Sequence, residues 1–248
     1  MRDKARGSFV AQWRVLAAAL FLVVLGCSTP KPVPSYECIT QYDRMTNQYE
    51  PLLSLVYSPK PLDLKAYRGV IVGPVTLGTT WVESADDATH YATYYRVCLL
   101  KDLLGLNKFR KVSFAGGADD WGGSLDGVLR IDTMFTRFYM GSGVMRYLSY
   151  FMFYLQGSAT DLQIEGRITD AATGQTVAEF ADRRRDLGNT PWGPNPHNFR
   201  RGFAMAVTAH KTAQAFADFM DEARDDDKPG GSTAKPDAGR RIALEGSK

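Results

Sequence analysis

Apolar and polar positions along the chain change period several times, and each change predicts an element. Tyr67-Arg68-Gly69-Val70-Ile71-Val72-Gly73-Pro74-Val75 is a short apolar, β-branched run. It predicts a strand buried on both faces, which Pro74 ends or marks as a sheet edge. Asp86 and Asp87 precede a helix on which Tyr91, Tyr94, Tyr95, Cys98, Leu99 and Leu103 recur at three and four, with Gly105 as its stop. Phe109 to Phe114 predicts a second strand, and Leu125 to Tyr139 a longer one. On the latter, strict alternation puts Val128, Arg130, Asp132, Met134, Thr136 and Phe138 on one face and Leu129, Ile131, Thr133 and Phe135 on the other.

Leu162, Ile164, Gly166 and Ile168 alternate through Thr160 to Asp170, and Thr176, Ala178 and Phe180 continue beyond Asp170-Ala171-Ala172-Thr173-Gly174. Asp can bond the backbone ahead of it and Gly accepts positive φ, so this stretch predicts a β-hairpin. Asn195-Pro196 has N-cap and first-turn chemistry. The helix it opens carries a stripe of Phe199, Phe203, Ala206, Val207, His210, Ala213, Ala217 and Met220. Upstream, Tyr42, Met45, Tyr49, Leu52, Leu53 and Val56 read as a wrap packed on the domain, interrupted by Pro51. The order strand, helix, four strands, helix predicts an α+β domain over 37–224: a mostly antiparallel sheet with a β-hairpin and helices packed on one face.

The N-terminus has a different pattern. Arg2, Lys4, Arg6 and Arg14 precede the apolar run Val15 to Leu25, which closes in Val24-Leu25-Gly26-Cys27. A basic stretch, a short apolar core and a small residue make a secretory signal. The run is about eleven residues, against the ~20 that a membrane-spanning helix needs. Val24 to Cys27 resembles the lipobox of bacterial lipoproteins. The resemblance implies a signal peptide over 1–26 cleaved after Gly26, a diacylglyceryl thioether on Cys27 and an acylated new N-terminus. Several acyl chains would give stable anchoring. Ser28 stands where lipoproteins kept in the inner membrane tend to carry Asp, which implies sorting to the outer membrane, periplasmic face. Residues 27–36, with Pro30, Pro32 and Pro34, read as a semi-rigid tether that lifts the domain off the membrane. Residues 225–248, acidic and then rich in Pro, Gly and Ser, read as a disordered tail.

Gly157-Ser158-Ala159 with the hairpin Ile168 to Ala178 resembles a stretch of uncharacterised outer-membrane lipoprotein families. That resemblance implies no enzymatic activity and no catalytic residues.

Charge and cysteine change the picture only slightly. Cleavage removes Arg2, Lys4, Arg6 and Arg14 against Asp3, leaving 26 basic and 26 acidic side chains. That balance argues against a nucleic-acid binder. Cys38 and Cys98 are an even pair that an oxidising periplasm could bridge, or two buried thiols.

Candidate chemistry is sparse. His90, His197 and His210 lack metal-ligand spacing, so no metal or cofactor is expected; His210, on the apolar stripe, reads as a core histidine. There is no Gly-x-Ser-x-Gly elbow and no phosphate loop. Glu165, Asp170 and Glu179 could meet across the hairpin, but solvated strand positions explain them. Arg183-Arg184-Arg185, between Asp182 and Asp186, reads as a solvated strand end. The aromatic run with Tyr147, Tyr150, Phe151, Phe153 and Tyr154 is core, or else a contact for lipid or a partner. These readings converge on a non-enzymatic scaffolding module of an envelope assembly, held by its lipid and bound to an envelope protein. The alternative is a homo-oligomeric pore or secretion component with membrane-spanning strands over 133–166.

Overall fold

The computed structural model describes residues 30–39, 41–142, 159–186, 189–190, 193–194 and 201–225. The strands are β1 (Leu55–Tyr57), β2 (Gly69–Val82), β3 (Lys111–Ser113), β4 (Val128–Tyr139), β5 (Thr160–Asp170) and β6 (Thr176–Asp186), followed by the two-residue pair β7 (Asn189–Thr190) and β8 (Gly193–Pro194). The helices are α1 (Ala85–Gly105) and α2 (Arg201–Asp225). Six strands form one sheet in the order β1-β6-β5-β4-β2-β3.

The sheet is mixed, which corrects the mostly antiparallel expectation. β4, β5, β6 and β1 form an antiparallel meander, whereas β2 runs parallel to both β3 and β4. The cause is α1. A helix of 21 residues after β2 carries the chain back along the sheet, so the next strand enters in the same direction. α1 is started by Ser84, whose side chain accepts from the Asp87 amide, and it ends at Gly105 as expected.

β2 continues past Pro74 to Val82. β3 pairs only with Gly69–Ile71, so beyond that point β2 is an edge and the missing amide of Pro74 leaves no sheet bond unmade. The guanidinium of Arg96 donates to the Val72 carbonyl at 2.9 and 3.2 Å, where the neighbouring strand has stopped.

Both helices cover one face of the sheet. The core between the layers holds Tyr95, Leu99 and Leu103 of α1, Phe216, Phe219 and Met220 of α2, and Val70, Ile131, Phe135, Ile164 and Phe180 of the strands. The wrap packs here as expected, through Leu53 and Val56. Two details of register differ from the simple patterns. A β-bulge lies between Phe135 and Arg137, so Phe138 joins Phe135 in the core instead of Arg130 and Asp132 on the outer face. The buried arc of α2 is centred on Met205, Ala209, Thr212, Phe216 and Phe219, while Phe203 is exposed. Thr208 and Thr212 enter that arc because their hydroxyls donate to the carbonyls of Ala204 and Thr208 one turn back.

The hairpin is the expected one. Asp170 accepts from the amides of Ala172 and Thr173 at 3.1 and 2.8 Å, and Gly174 has φ +71°.

Cys38 and Cys98 are both free. Cys98 packs in the core beneath α1, whereas Cys38 lies with Ile39 and Ala181 on the opposite face of the sheet. The thickness of the sheet separates them, which overturns the disulfide expectation. Burial raises both thiols, Cys38 to about 11, so neither is a ready thiolate.

Candidate functional site: a polar sheet face under an N-terminal strap

Alternate residues of β5 and β6 that do not face the helices are polar. They are Asp161, Gln163, Glu165 and Arg167 on β5, opposite Arg185, Arg183, Ala181 and Glu179 on β6, where Ala181 is the exception. Such a face would ordinarily be wet, yet Gln163 and Glu165 have no exposed surface and Asp161 keeps 4 %. The N-terminal segment lies over them.

The contacts follow the pleat. Gln163 clamps the backbone of Val33 from both sides: its Oε1 accepts from the Val33 amide at 2.8 Å, and its Nε2 donates to the Val33 carbonyl at 2.7 Å. The Ser35 hydroxyl donates to Glu165 at 2.9 Å, and Arg167 donates to the Cys38 carbonyl at 2.8 Å. Arg183 reaches the Lys31 carbonyl at 3.3 Å. The segment therefore runs alongside β5 in the same direction, with 33 above 163, 35 above 165 and 38 above 167. Of the semi-rigid tether expected over 27–36, the part from Lys31 onward is docked on the sheet.

Glu37 anchors the other side of the strap. Its carboxylate fills the irregularity of β2 at Gly78–Thr80, accepting from the amides of Thr79 and Thr80 at 2.7 and 3.1 Å and from the Thr80 hydroxyl at 2.6 Å. These donors, the Thr80 hydroxyl first, hold Glu37 below its ordinary value of 4.5. A depressed carboxylate favours the docked strap above that ordinary value, and the contribution is lost as pH falls through the lowered one. The expected result is that amide protection of Thr79 and Thr80, read by hydrogen exchange, falls as pH drops below 4.5. In Glu37→Gln it would be low and flat over the same range.

Apart from Glu165, which accepts from Ser35 and Gln163, the charges on this face pair with each other. Asp161 binds Arg183 at 2.6 and 2.9 Å and Arg137 at 2.8 Å; Arg167 binds Glu179 at 2.8 Å; Arg130 binds Asp132 at 2.8 Å. A cavity of about 450 Å³ opens beside the strap, lined by Cys38, Pro74, Arg130, Asp132, Met134 and Arg167, among others. The chemistry of the face is that of holding an extended peptide: backbone is gripped by amide and guanidinium groups, and one carboxylate sits in a nest.

The residues singled out from the sequence fall as follows. Glu165, Asp170 and Glu179 do not form a pair, and two of them are not solvated. Glu165 is under the strap, Glu179 is spent on Arg167 and Asp170 on its turn. In the arginine run, Arg183 is held by Asp161, Arg184 by Asp182 and the Leu52 carbonyl, and Arg185 is exposed. Only Arg185 fits a solvated strand end. His210 is not a core histidine; its Nε2 lies 3.8 Å from Asp102 with the side chain 41 % exposed. His90 stacks edge-on against Tyr91. No group of metal-ligating side chains occurs among the described residues. Gly26, Cys27, His197 and the aromatic residues Tyr147, Tyr150, Phe151, Phe153 and Tyr154 lie outside the described residues. The described parts of 133–166 are inner strands of the sheet, with helices on one face and ion pairs on the other. No helix among the described residues is long and apolar enough to cross a membrane.

What sequence reasoning missed is the strap with its clamp at Gln163 and its nest at Thr79–Thr80. The available signal was Gln163 and Glu165, polar positions alternating with Leu162 and Ile164 in an inner strand.

No family model matches this sequence, and no curated protein matches it. Solved structures do. One is a PelC dodecamer from Paraburkholderia phytofirmans, at TM-score 0.40 and 11 % identity, covering 64 % of this chain and 96 % of that one. A second is a point variant of the same PelC dodecamer, at TM-score 0.40 and 13 % identity over 65 % of this chain and 94 % of that one.

Proposed function

We propose that this chain is a lipid-anchored protein of the bacterial envelope, held at the periplasmic face of the outer membrane through Cys27. Its domain acts as a non-enzymatic scaffolding module, with an envelope protein or a further copy of the chain as partner. The observation that carries the reading is the Val24-Leu25-Gly26-Cys27 motif at the end of a short apolar run. The polar sheet face supports the binding half of the reading, because Asp161, Arg183, Arg137, Arg167 and Glu179 neutralise one another, Glu165 is held by hydroxyl and amide donors, and the grip is on peptide backbone.

The test is mass spectrometry of the mature N-terminal peptide from cells. The expected result is a chain that begins at Cys27 and carries a diacylglyceryl thioether and an amide-linked acyl group. Cys27→Ser is expected to abolish both modifications and move the protein out of the membrane fraction. An unmodified thiol at position 27 refutes the proposal.

A further inference from the structure

The strap is held in an unusual way. From Lys31 to Cys38 no residue is buried, and the first buried position is Ile39, which has no exposed surface and packs with Met45 and Ala181. The docked segment thus rests mainly on hydrogen bonds, which water replaces at modest net cost, with a ring contact of Tyr36 against Tyr42 and a partly buried contact of Cys38 against the cluster of Ile39 and Ala181 at its far end. Pro32 and Pro34 restrict the free segment and lower the entropy lost on docking. The face beneath is equally prepared for either state. Asp161, Gln163, Glu165, Arg167 and Arg183 can all be hydrated, so lifting the strap uncovers polar groups in place of apolar core.

We propose that residues 31–38 are a releasable leash lock that sets how far the domain stands from the membrane. The proposal rests on the lipid-anchor reading. With the strap docked, the first two-bond clamp beyond Cys27 is that of Gln163 on Val33, since Lys31 is held only by the single 3.3 Å contact of Arg183. The six peptide steps from Cys27 to Val33 reach at most about 20 Å at ~3.3–3.6 Å per residue. With the strap lifted, the next fixed point is Ile39, and twelve steps reach about 40 Å. Docking therefore halves the leash and lays the strapped face toward the anchor. Release doubles the reach and, in the same event, uncovers a groove that grips extended peptide backbone. The Gln163 clamp reads the amide and carbonyl of one residue, and the Thr79–Thr80 nest reads a carboxylate four residues later.

The test uses the full lipidated chain on supported bilayers of phosphatidylethanolamine and phosphatidylglycerol. Neutron reflectometry measures the gap between headgroups and protein, and hydrogen exchange follows the Val33 amide in the same preparation. The variant is Ser35→Ala with Glu37→Gln, which changes two strap residues that are not buried and leaves both the core and the Val33–Gln163 clamp intact. The expected result is Val33 exchange at least tenfold faster, with the protein layer moved outward by on the order of 10 Å and at most about 20 Å. Unchanged exchange, or fast exchange with an unchanged gap, overturns the leash lock while the lipid anchor stands. Failure of wild type and variant alike to form a bound layer overturns the anchor reading and the lock with it. A wild-type layer already separated by the full leash also overturns the lock.

Discussion

Asp161→Ala is expected to destabilise the domain by about 3 kcal/mol, a midpoint shift in urea unfolding at neutral pH with unchanged slope. The carboxylate keeps 6 % side-chain exposure and holds two guanidiniums, Arg183 with 14 % and Arg137 with 29 %. Removing one partner of a covered ion pair leaves the others desolvated and unmatched, which costs ~3–5 kcal/mol. The lower end applies because both arginines retain a path to water. Burial alone would raise the Asp161 carboxyl, but Arg183 and Arg137 outweigh it and hold the group below its ordinary 3.8. A depressed carboxylate adds stability above its unfolded value and loses it as pH falls through the folded one. The gap between wild type and variant should therefore narrow once pH drops below 3.8. Asp161→Leu combined with Arg183→Leu should cost clearly less than the two single changes added together, because the pair leaves as a unit. Full additivity would mean that the ion pair contributes nothing.

Local chemistry was legible in the sequence and long-range covering was not. The hairpin at Asp170–Gly174 could be read because every bond that closes it lies within the turn. Helix α1 could be read because its apolar spacing and its Gly105 stop are consecutive in the chain. The direction of β2 could not: whether its neighbour runs parallel depends on where α1 returns the chain, and hydropathy does not encode that. The bulge near Thr136 was hidden for a related reason. One extra residue reverses the alternation, and Phe138 changes faces without any change in composition. On α2, two threonines count as polar in any stripe, yet each meets its own helix one turn back and is buried. The candidate site was the least legible part. Gln163 and Glu165 look like solvent positions until Val33 and Ser35, 130 residues earlier in the chain, are laid on top of them. Neither partner carries a motif, because the recognition is between an amide side chain and a backbone.

Gly166→Ala is expected to cost on the order of 3 kcal/mol, although alanine in a strand normally gains over glycine. The backbone at Gly166 has ordinary extended geometry, so the effect is one of space. A Cβ there would stand 2.3 Å from the Asp132 carbonyl oxygen and 2.4 Å from the Phe180 ring. Phe180 lies directly across β6 from Gly166, has no exposed surface, and packs edge-on against Phe216 at 4.6 Å. The ring fills the slot that the glycine leaves. It cannot swing away without disturbing α2, and the carbonyl cannot move without loosening the β4–β5 ladder. These two obstacles can be separated. Adding Phe180→Leu to Gly166→Ala removes the ring contact but leaves the oxygen, so the double variant should stay well below wild type in urea midpoint. Full rescue by the leucine would mean that the ring alone forbids a side chain. Gly174→Ala is the reference for a purely conformational cost: open space surrounds its Cβ position, and its φ of +71° predicts a loss of about 1 kcal/mol. If Gly166→Ala fell no further than Gly174→Ala, the close packing of β4, β5 and β6 described above would be wrong.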